Sequence, residues 1–283
     1  MTNIPTAINP HAAHPTSFAA MVKSFWLNRS LIFTLAKRDV VGRYRGSIMG
    51  IAWSFFNPLL MLIIYTFVFS VVFKARWGIT AQESKMDFAI MLFIGMIIHG
   101  VFAECINRAP GLILSNVNYV KKVVFPLEIL PWVAFGSALF HAAISLIVLF
   151  VAQLIFMGHI PFTALLFPLV LLPIIFATIG FAWFLSSLGV FIRDIGQITG
   201  IITTVLLFIS GVFFPISSLP ETYRVWLALN PLATIIEEGR NVLILGKLPD
   251  PVIWLVMMSL GLLIAWAGFA WFQKTRKGFA DVI

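Results

Sequence analysis

Charge is scarce in this chain: of its 283 residues only 11% are Asp, Glu, Lys or Arg, against about 25% in ordinary globular proteins. Hydrophobic residues make up 60%, and the mean hydropathy is +1.01. A soluble domain of this length has no surface on which to place so much apolar side chain, whereas lipid accepts it. Soluble enzymes are excluded, and an all-α membrane protein is expected. Cysteine is nearly absent too. Cys105 stands alone, so no intrachain disulfide forms, and no Cys/His cluster has zinc spacing. No G-x-x-x-x-G-K-[ST] loop occurs, and Gly246-Lys247 is followed by Leu248. The chain therefore holds no ATP phosphates itself, binds no cofactor of its own, and draws any energy from a partner or a gradient. Residues 1–17 are polar and rich in Pro and His, which predicts a mobile tail rather than a cleavable signal peptide. The net charge of +8 reports orientation and contact with anionic lipid, not nucleic-acid binding.

What is present in quantity is apolar sequence free of Asp, Glu, Lys and Arg. A membrane-crossing helix needs about 20 such residues, and six are predicted, over about 48–73, 88–107, 129–157, 161–192, 195–216 and 252–273. The third and fourth are divided at Met157-Gly158-His159-Ile160-Pro161, where a turn-former, a polar ring and a proline interrupt the run. The second is long enough only if it continues through Glu104 to Asn107. Six crossings place both termini on one side. Thirteen of the 19 Lys and Arg fall on that side, among them Lys23, Arg29, Lys37, Arg38, Arg43, Arg45, Arg108, Lys121 and Lys122. The positive-inside rule makes it the cytoplasm, with a short cytoplasmic tail at 274–283.

Two segments are expected not to cross. From Phe18 to about Arg45, Phe18, Met21, Val22, Phe25 and Trp26 recur among basic residues, the pattern of a helix lying in the interface. Residues 217–250 mix apolar stretches with Glu221, Arg224, Glu237, Glu238 and Arg240, which predicts a re-entrant pair of short helices on the outer side. The second helix, after Asn230-Pro231, has Leu232, Ile235, Ile236, Val242 and Leu243 on one face and Thr234, Glu237, Glu238 and Asn241 on the other. Irregular backbone at membrane depth survives only against protein or water, so this element lines or caps a passage.

Individual residues admit plain and functional readings. Glu104 is the one acidic side chain within a predicted crossing; near the cytoplasmic end it reaches the headgroups or pairs with Arg108 four residues on. His99 and His141 lie in apolar stretches, where a neutral, hydrogen-bonded imidazole is the ordinary state. Gly42, Gly46 and Gly50 either let two helices approach closely or permit the bend into the first crossing. Pro58, Pro168 and Pro173 predict kinks. Tyr65, Phe69 and Phe73, at i, i+4 and i+8, form an aromatic row able to stack on sugar rings or simply to pack. The 110–128 connection ends in Asn118-Tyr119-Val120-Lys121-Lys122-Val123-Val124-Phe125-Pro126, as a short helix docked in a partner's groove or anchored on the membrane would.

The run Arg38-Asp39-Val40-Val41-Gly42-Arg43-Tyr44-Arg45-Gly46-Ser47, with Asn57-Pro58-Leu59, closely resembles the opening of permease subunits of ATP-binding cassette (ABC-2 type) polysaccharide exporters. That family serves O-antigen, capsule and teichoic acid. Lys121-Lys122-Val123-Val124-Phe125-Pro126, Phe191-Ile192-Arg193-Asp194 and Asn230-Pro231-Leu232 with Glu237 or Glu238 and Arg240 follow in the same order. Gly211-Val212-Phe213-Phe214-Pro215 departs from it, with phenylalanine before the proline. The resemblance implies a homodimer bound to two copies of a separate ATPase, which supplies ATP and Mg, in the bacterial inner membrane. It implies that a lipid-linked polysaccharide passes between the protomers. By the same resemblance Asn118, Lys121, Lys122 and Phe125, with Arg38 and Asp39, couple to the ATPase. Tyr65, Phe69 and Phe73 line the conduit, and Asn230, Pro231, Glu237, Glu238 and Arg240 form an outer gate. Arg43 and Arg45 sit at the cytoplasmic mouth, where they attract the substrate's diphosphate or membrane lipid. Against this stand a membrane enzyme using Glu104, His99 or His141, a gradient-driven carrier, and an ATP-binding cassette exporter of drugs or small lipids.

Overall fold

The computed structural model describes residues 15–72, 77, 85–121 and 125–283, and all regular structure among them is helical. Helix α1 (Phe18–Tyr44) starts at Ser17, whose hydroxyl accepts from the Ala20 N–H, as an N-cap should. It buries Met21, Ile32, Ala36 and Val40, while Val22, Trp26, Leu27 and Phe33 remain exposed. The apolar residues that predict an interface helix thus divide between a stripe packed on protein and a stripe left bare. Helix α1 packs along α5 (Leu130–Met157) and the turn before it, with hydrogen bonds from Ser24 to Glu128 and between Tyr44 and His141.

After Arg45 the chain bends through Gly46 (φ 86°) and Gly50 (φ 52°), left-handed conformations that cost other residues dearly. Gly46 and Gly50 thus serve the bend, while Gly42 lies inside α1, and a Cβ on any of the three would meet nothing within 4 Å in this protomer. The first crossing therefore begins at Gly50 and not at Ile48. It runs through α2 (Trp53–Tyr65), with Pro58 inside, and then changes to π-helical geometry over Thr66–Val72. Helix α3 (Lys85–Arg108) does continue through Glu104, as its length required.

Helices α4 (Val117–Lys121), α6 (Phe167–Phe191), α7 (Ile195–Ile209), α8 (Glu221–Ala228), α9 (Pro231–Leu243), α10 (Pro251–Thr275) and α11 (Phe279–Val282) complete the chain. Pro168 sits in the first turn of α6, where its missing N–H has no role, and only Pro173 lies inside that helix. Among the described residues, five stretches are long and apolar enough to cross a membrane: Gly50–Phe69, Met86–Gly111, Leu127–Met157, Phe162–Phe191 and Pro251–Val282. The expected crossing at 195–216 is represented by the 15-residue α7. At about 1.5 Å per residue such a helix is shorter than the roughly 30 Å hydrocarbon layer. It stops at Ile209 because Gly211 turns the backbone at φ 65°.

Helix α3 is the most buried of the five and carries much of the core, with Ala89, Ile90, Phe93, Ile94 and Ile98 nearly inaccessible. Helices α6 and α10 form the tightest seam. A Cβ on Gly180 would strike the Ile264 carbonyl, one on Gly268 the Gly180 carbonyl, and one on Gly261 the Pro173 carbonyl. Small residues at these places bring the backbones together, which is how helices gain van der Waals contact where lipid supplies no hydrophobic drive between them.

Candidate functional site

At the α1 end of the bundle, five side chains from three helices form one ionic junction. Arg43 Nη2 donates to Glu104 Oε1 at 2.6 Å, and Arg108 Nη2 donates to both Asp39 carboxylate oxygens at 2.8 and 2.9 Å. Arg108 Nη1 lies 3.6 Å from Glu104 Oε1, the i,i+4 pair legible in the sequence but the longer of the two contacts Glu104 makes with arginine. His141 on α5 completes the junction, with Nδ1 3.2 Å from Glu104 Oε2 and Nε2 3.0 Å from the Tyr44 hydroxyl. The neutral tautomer that serves both contacts carries its hydrogen on Nδ1, so donation runs from Tyr44 to His141 to Glu104. Burial raises the Tyr44 phenol pKa, followed in size by a lowering from Arg43 and a raising from Glu104; the phenol stays protonated and able to donate.

Two cavities flank this junction. One, about 470 Å³, lies between the end of α1 and helices α2, α3 and α5, lined by Arg43, Tyr44, Trp53, Asn57, Tyr65, Glu104 and His141 among others. The second, about 570 Å³, lies under α1 and is lined by Arg38, Asp39, Arg43, Arg108, Asn116 and Tyr119 with Leu35, Leu112 and Leu130. Glu104 and Arg43 side chains keep 21% and 39% of their exposure, which limits the strength of their bond. Glu104→Gln is expected to lower folding stability by about 1–2 kcal/mol, since the contacts are charge-assisted but part-solvated. The check is the thermal midpoint of the detergent-purified protein. An unchanged midpoint would mean the junction is not holding the helices.

The remaining expected site residues fall into separate groups. Arg38 Nη2 donates to the Tyr119 hydroxyl at 3.0 Å, tying α1 to α4. Asn118 and Lys121 are exposed on α4, whereas the Phe125 ring stacks on Tyr119 at 4.2 Å between centroids; it faces protein instead of standing free. Lys122 and Phe73 lie outside the described residues. Arg45 is exposed. Phe69 stacks on Phe88 and on Phe213, at 5.9 and 5.4 Å, and Tyr65 packs against that same apolar cluster while also lining the 470 Å³ cavity. Tyr65 and Phe69, the two described members of the aromatic row, thus share one cluster, although the helix turns π-helical at Thr66.

At the opposite end α9 sorts its faces as the sequence implies: Leu232, Ile235, Ile236, Val242 and Leu243 are buried, while Thr234, Glu237, Glu238 and Asn241 keep partial exposure. Asn230 caps it, with Oδ1 accepting from Leu232 N–H and Nδ2 donating to Ser210 Oγ at 3.0 Å. Glu238 accepts from the Asp250 N–H and the Asn241 amide, and burial, the largest influence, pushes its carboxyl above the ordinary range. Arg240 is only 1% exposed. It donates to the Met91, Gly211 and Val212 carbonyls at 2.9–3.0 Å, lies 3.4 Å from Glu237 and sits 4.2 Å from the Trp77 ring centre. His99 is likewise spent on structure, 2.9 Å from the Thr203 carbonyl. Sequence reasoning missed Tyr44, Glu128, Trp183 and Arg276 as members of polar networks. Their partners lie at separations of 55 to 151 residues, where no local pattern points to them.

Comparison with known proteins adds four findings. The profile of the ABC-2 type transporter family matches residues 30–244. The O-antigen export system permease protein RfbA of Myxococcus xanthus is 25% identical over 265 residues, covering 93% of this chain and 99% of the relative. A second such permease, from Klebsiella pneumoniae, is 24% identical over 257 residues, covering 89% of this chain and 95% of its own. The capsule polysaccharide export inner-membrane protein CtrC of Neisseria meningitidis serogroup B is 27% identical over 277 residues, with 94% and 98% covered.

Proposed function

The chain belongs to the ABC-2 type transporter family, and from that premise we propose that it is the channel-forming permease of a lipid-linked polysaccharide exporter. O-antigen is the first substrate reading. The observation that carries it is similarity along nearly the whole length to O-antigen export permeases of two genera. A capsule polysaccharide is the second reading, favoured by the 27% identity to the capsule export protein. In either case the chain is the transmembrane part of an ATP-driven transporter and leaves hydrolysis to a separate subunit.

The working unit is a homodimer with two ATPase copies, set in a bacterial inner membrane with both termini in the cytoplasm. Six crossings, counting α7 as the fifth, leave α2 and α7 with long bare apolar faces. Leu60, Ile63 and Ile64 are exposed on the first, with Phe67 in the π-helical turn after it, and Ile198, Ile201, Ile202 and Val205 on the other. These faces meet the second protomer or the conduit. The physical task is to pass a hydrated polymer through an apolar slab, where each buried hydroxyl without a partner costs several kcal/mol. A partly wet passage removes that cost, and aromatic side chains such as Tyr65 hold sugar rings weakly at many places. Arg43 and Arg45 stand at the cytoplasmic mouth toward the diphosphate. The 110–128 segment, with Asn118 and Lys121 outward and Arg38 behind it, receives the ATPase. The 217–250 segment, with Asn230, Pro231, Glu237, Glu238 and Arg240, closes the outer end.

The test is to co-express the chain with the ATPase encoded beside its gene and to purify through a tag on the permease. The expected outcome is an equimolar complex whose polymer export is lost when the ATPase's phosphate-binding lysine is replaced. A permease that works alone, without ATP, would overturn the reading and return interest to Glu104 and the histidines. Chemical analysis of the exported polymer separates O-antigen from capsule.

A further inference from the structure

Residues 274–283 are expected as a short cytoplasmic tail; in the structure the first two end α10 and the rest pack on the bundle. Phe279 is fully buried, with ring contacts to Phe191 and Phe272. Arg276, just before it, reaches the end of the 110–128 segment. Its Nη1 donates to Glu128 Oε2 at 2.7 Å and its Nη2 to the Phe125 carbonyl at 2.8 Å. The Glu128 carboxylate also accepts the Ser24 hydroxyl of α1 at 3.0 Å, and its carbonyl accepts the Trp183 indole N–H of α6 at 2.8 Å. Four residues, 125–128, are thus fastened by donors from three separate elements. The ion pair is well shielded, with side chains 16% and 12% exposed, so neither salt nor water readily replaces it. From Phe125 the connection continues by ring stacking to Tyr119 on α4 and by the Arg38 bond to α1.

We propose that Arg276 is a positioning residue for energy coupling. It holds residues 125–128 so that a push on α4 moves α1 and α5 together instead of bending the segment between them. This rests on the permease reading given above, in which α4 meets the ATPase. A guanidinium suits the task because its planar fork serves a carboxylate and a carbonyl at once, which a lysine ammonium on a flexible stem does less well.

The experiment uses the permease–ATPase complex in liposomes and reads polymer exported per ATP hydrolysed. Arg276→Ala and Glu128→Gln are each expected to lower that ratio by about tenfold, because both leave a shielded charge unpaired. The double substitution is expected to be no worse than either single one, as for two members of one interaction. Arg276→Lys should fall between. Hydrolysis falling in step with export, or additive losses in the double variant, would overturn the inference, since a merely structural role gives those results. If Arg276→Ala yields no folded complex, Arg276→Lys decides: a lowered ratio supports the proposal and a wild-type ratio overturns it. Failure of the unsubstituted complex to export would instead refute the permease reading, so the two failures are distinct.

Discussion

Arg240→Ala is expected to destabilise the protein by about 4 kcal/mol, the range for removing one partner from a buried charged network. Three carbonyls, those of Met91, Gly211 and Val212, lose their donor at once, and buried acceptors left without partners each cost about 1–3 kcal/mol. The face of Trp77 also loses its cation, and the space left is lined on one side by α3. Because these carbonyls lie on α3 and on the turn after α7, the loss frees α9 from two neighbours together. Arg240→Lys is expected to retain part of the stability, since one ammonium reaches fewer of the three acceptors. Thermal midpoints of the detergent-purified variants, followed by the fraction remaining monodisperse, are the measurement. A midpoint for Arg240→Ala matching the wild type would show that the guanidinium is dispensable.

Gly268→Leu should be more severe still, with no folded protein recovered from the membrane. Even one added carbon at this position falls on the Gly180 carbonyl of the facing helix. Rigid backbone cannot yield as a side-chain end does, so Gly268→Ala alone should cost about 3 kcal/mol, the upper part of the usual overpacking range. Gly100→Ala is the control. A Cβ there meets nothing within 4 Å, and replacing a mid-helix glycine by alanine normally favours the helix by about 1 kcal/mol. Quantifying membrane-inserted, monodisperse protein for the three variants checks the order. Equal yields for Gly268→Leu and Gly100→Ala would mean that the α6–α10 seam is looser than its backbone contacts imply.

The helices themselves were legible because lipid imposes one rule on every crossing segment, a long apolar run without charge, and that rule is local. The start of α9 at Asn230-Pro231 was readable for the same reason, since a cap is local too. The early stop of α7 was not. It depends on Gly211 turning left-handed where Asn230 and Arg240, 21 and 29 residues beyond the carbonyls they hold, fix the backbone. The polar junction was half visible: the Glu104–Arg108 pair follows from i,i+4 spacing, but the shorter Arg43–Glu104 contact spans 61 residues and depends on how α1 lies over α3. Arg240 entered the expected outer gate by resemblance alone, which says nothing of its burial. The structure buries it because three backbone acceptors converge on its place. The family likeness rested on motifs that the match over 30–244 now covers in large part.

The π-helical stretch Thr66–Val72 gives the first crossing a torsional degree of freedom that an unbroken α-helix lacks. Each i→i+5 turn holds about one residue more than an α turn. Reverting one such turn to α geometry would rotate every side chain beyond it by about 100° around the helix axis, the angle per residue of an α-helix. Phe69, now stacked between Phe88 and Phe213, would then exchange places with a neighbour on the helix surface. The chemistry of the wall on this side of the bundle therefore depends on this stretch keeping its π geometry.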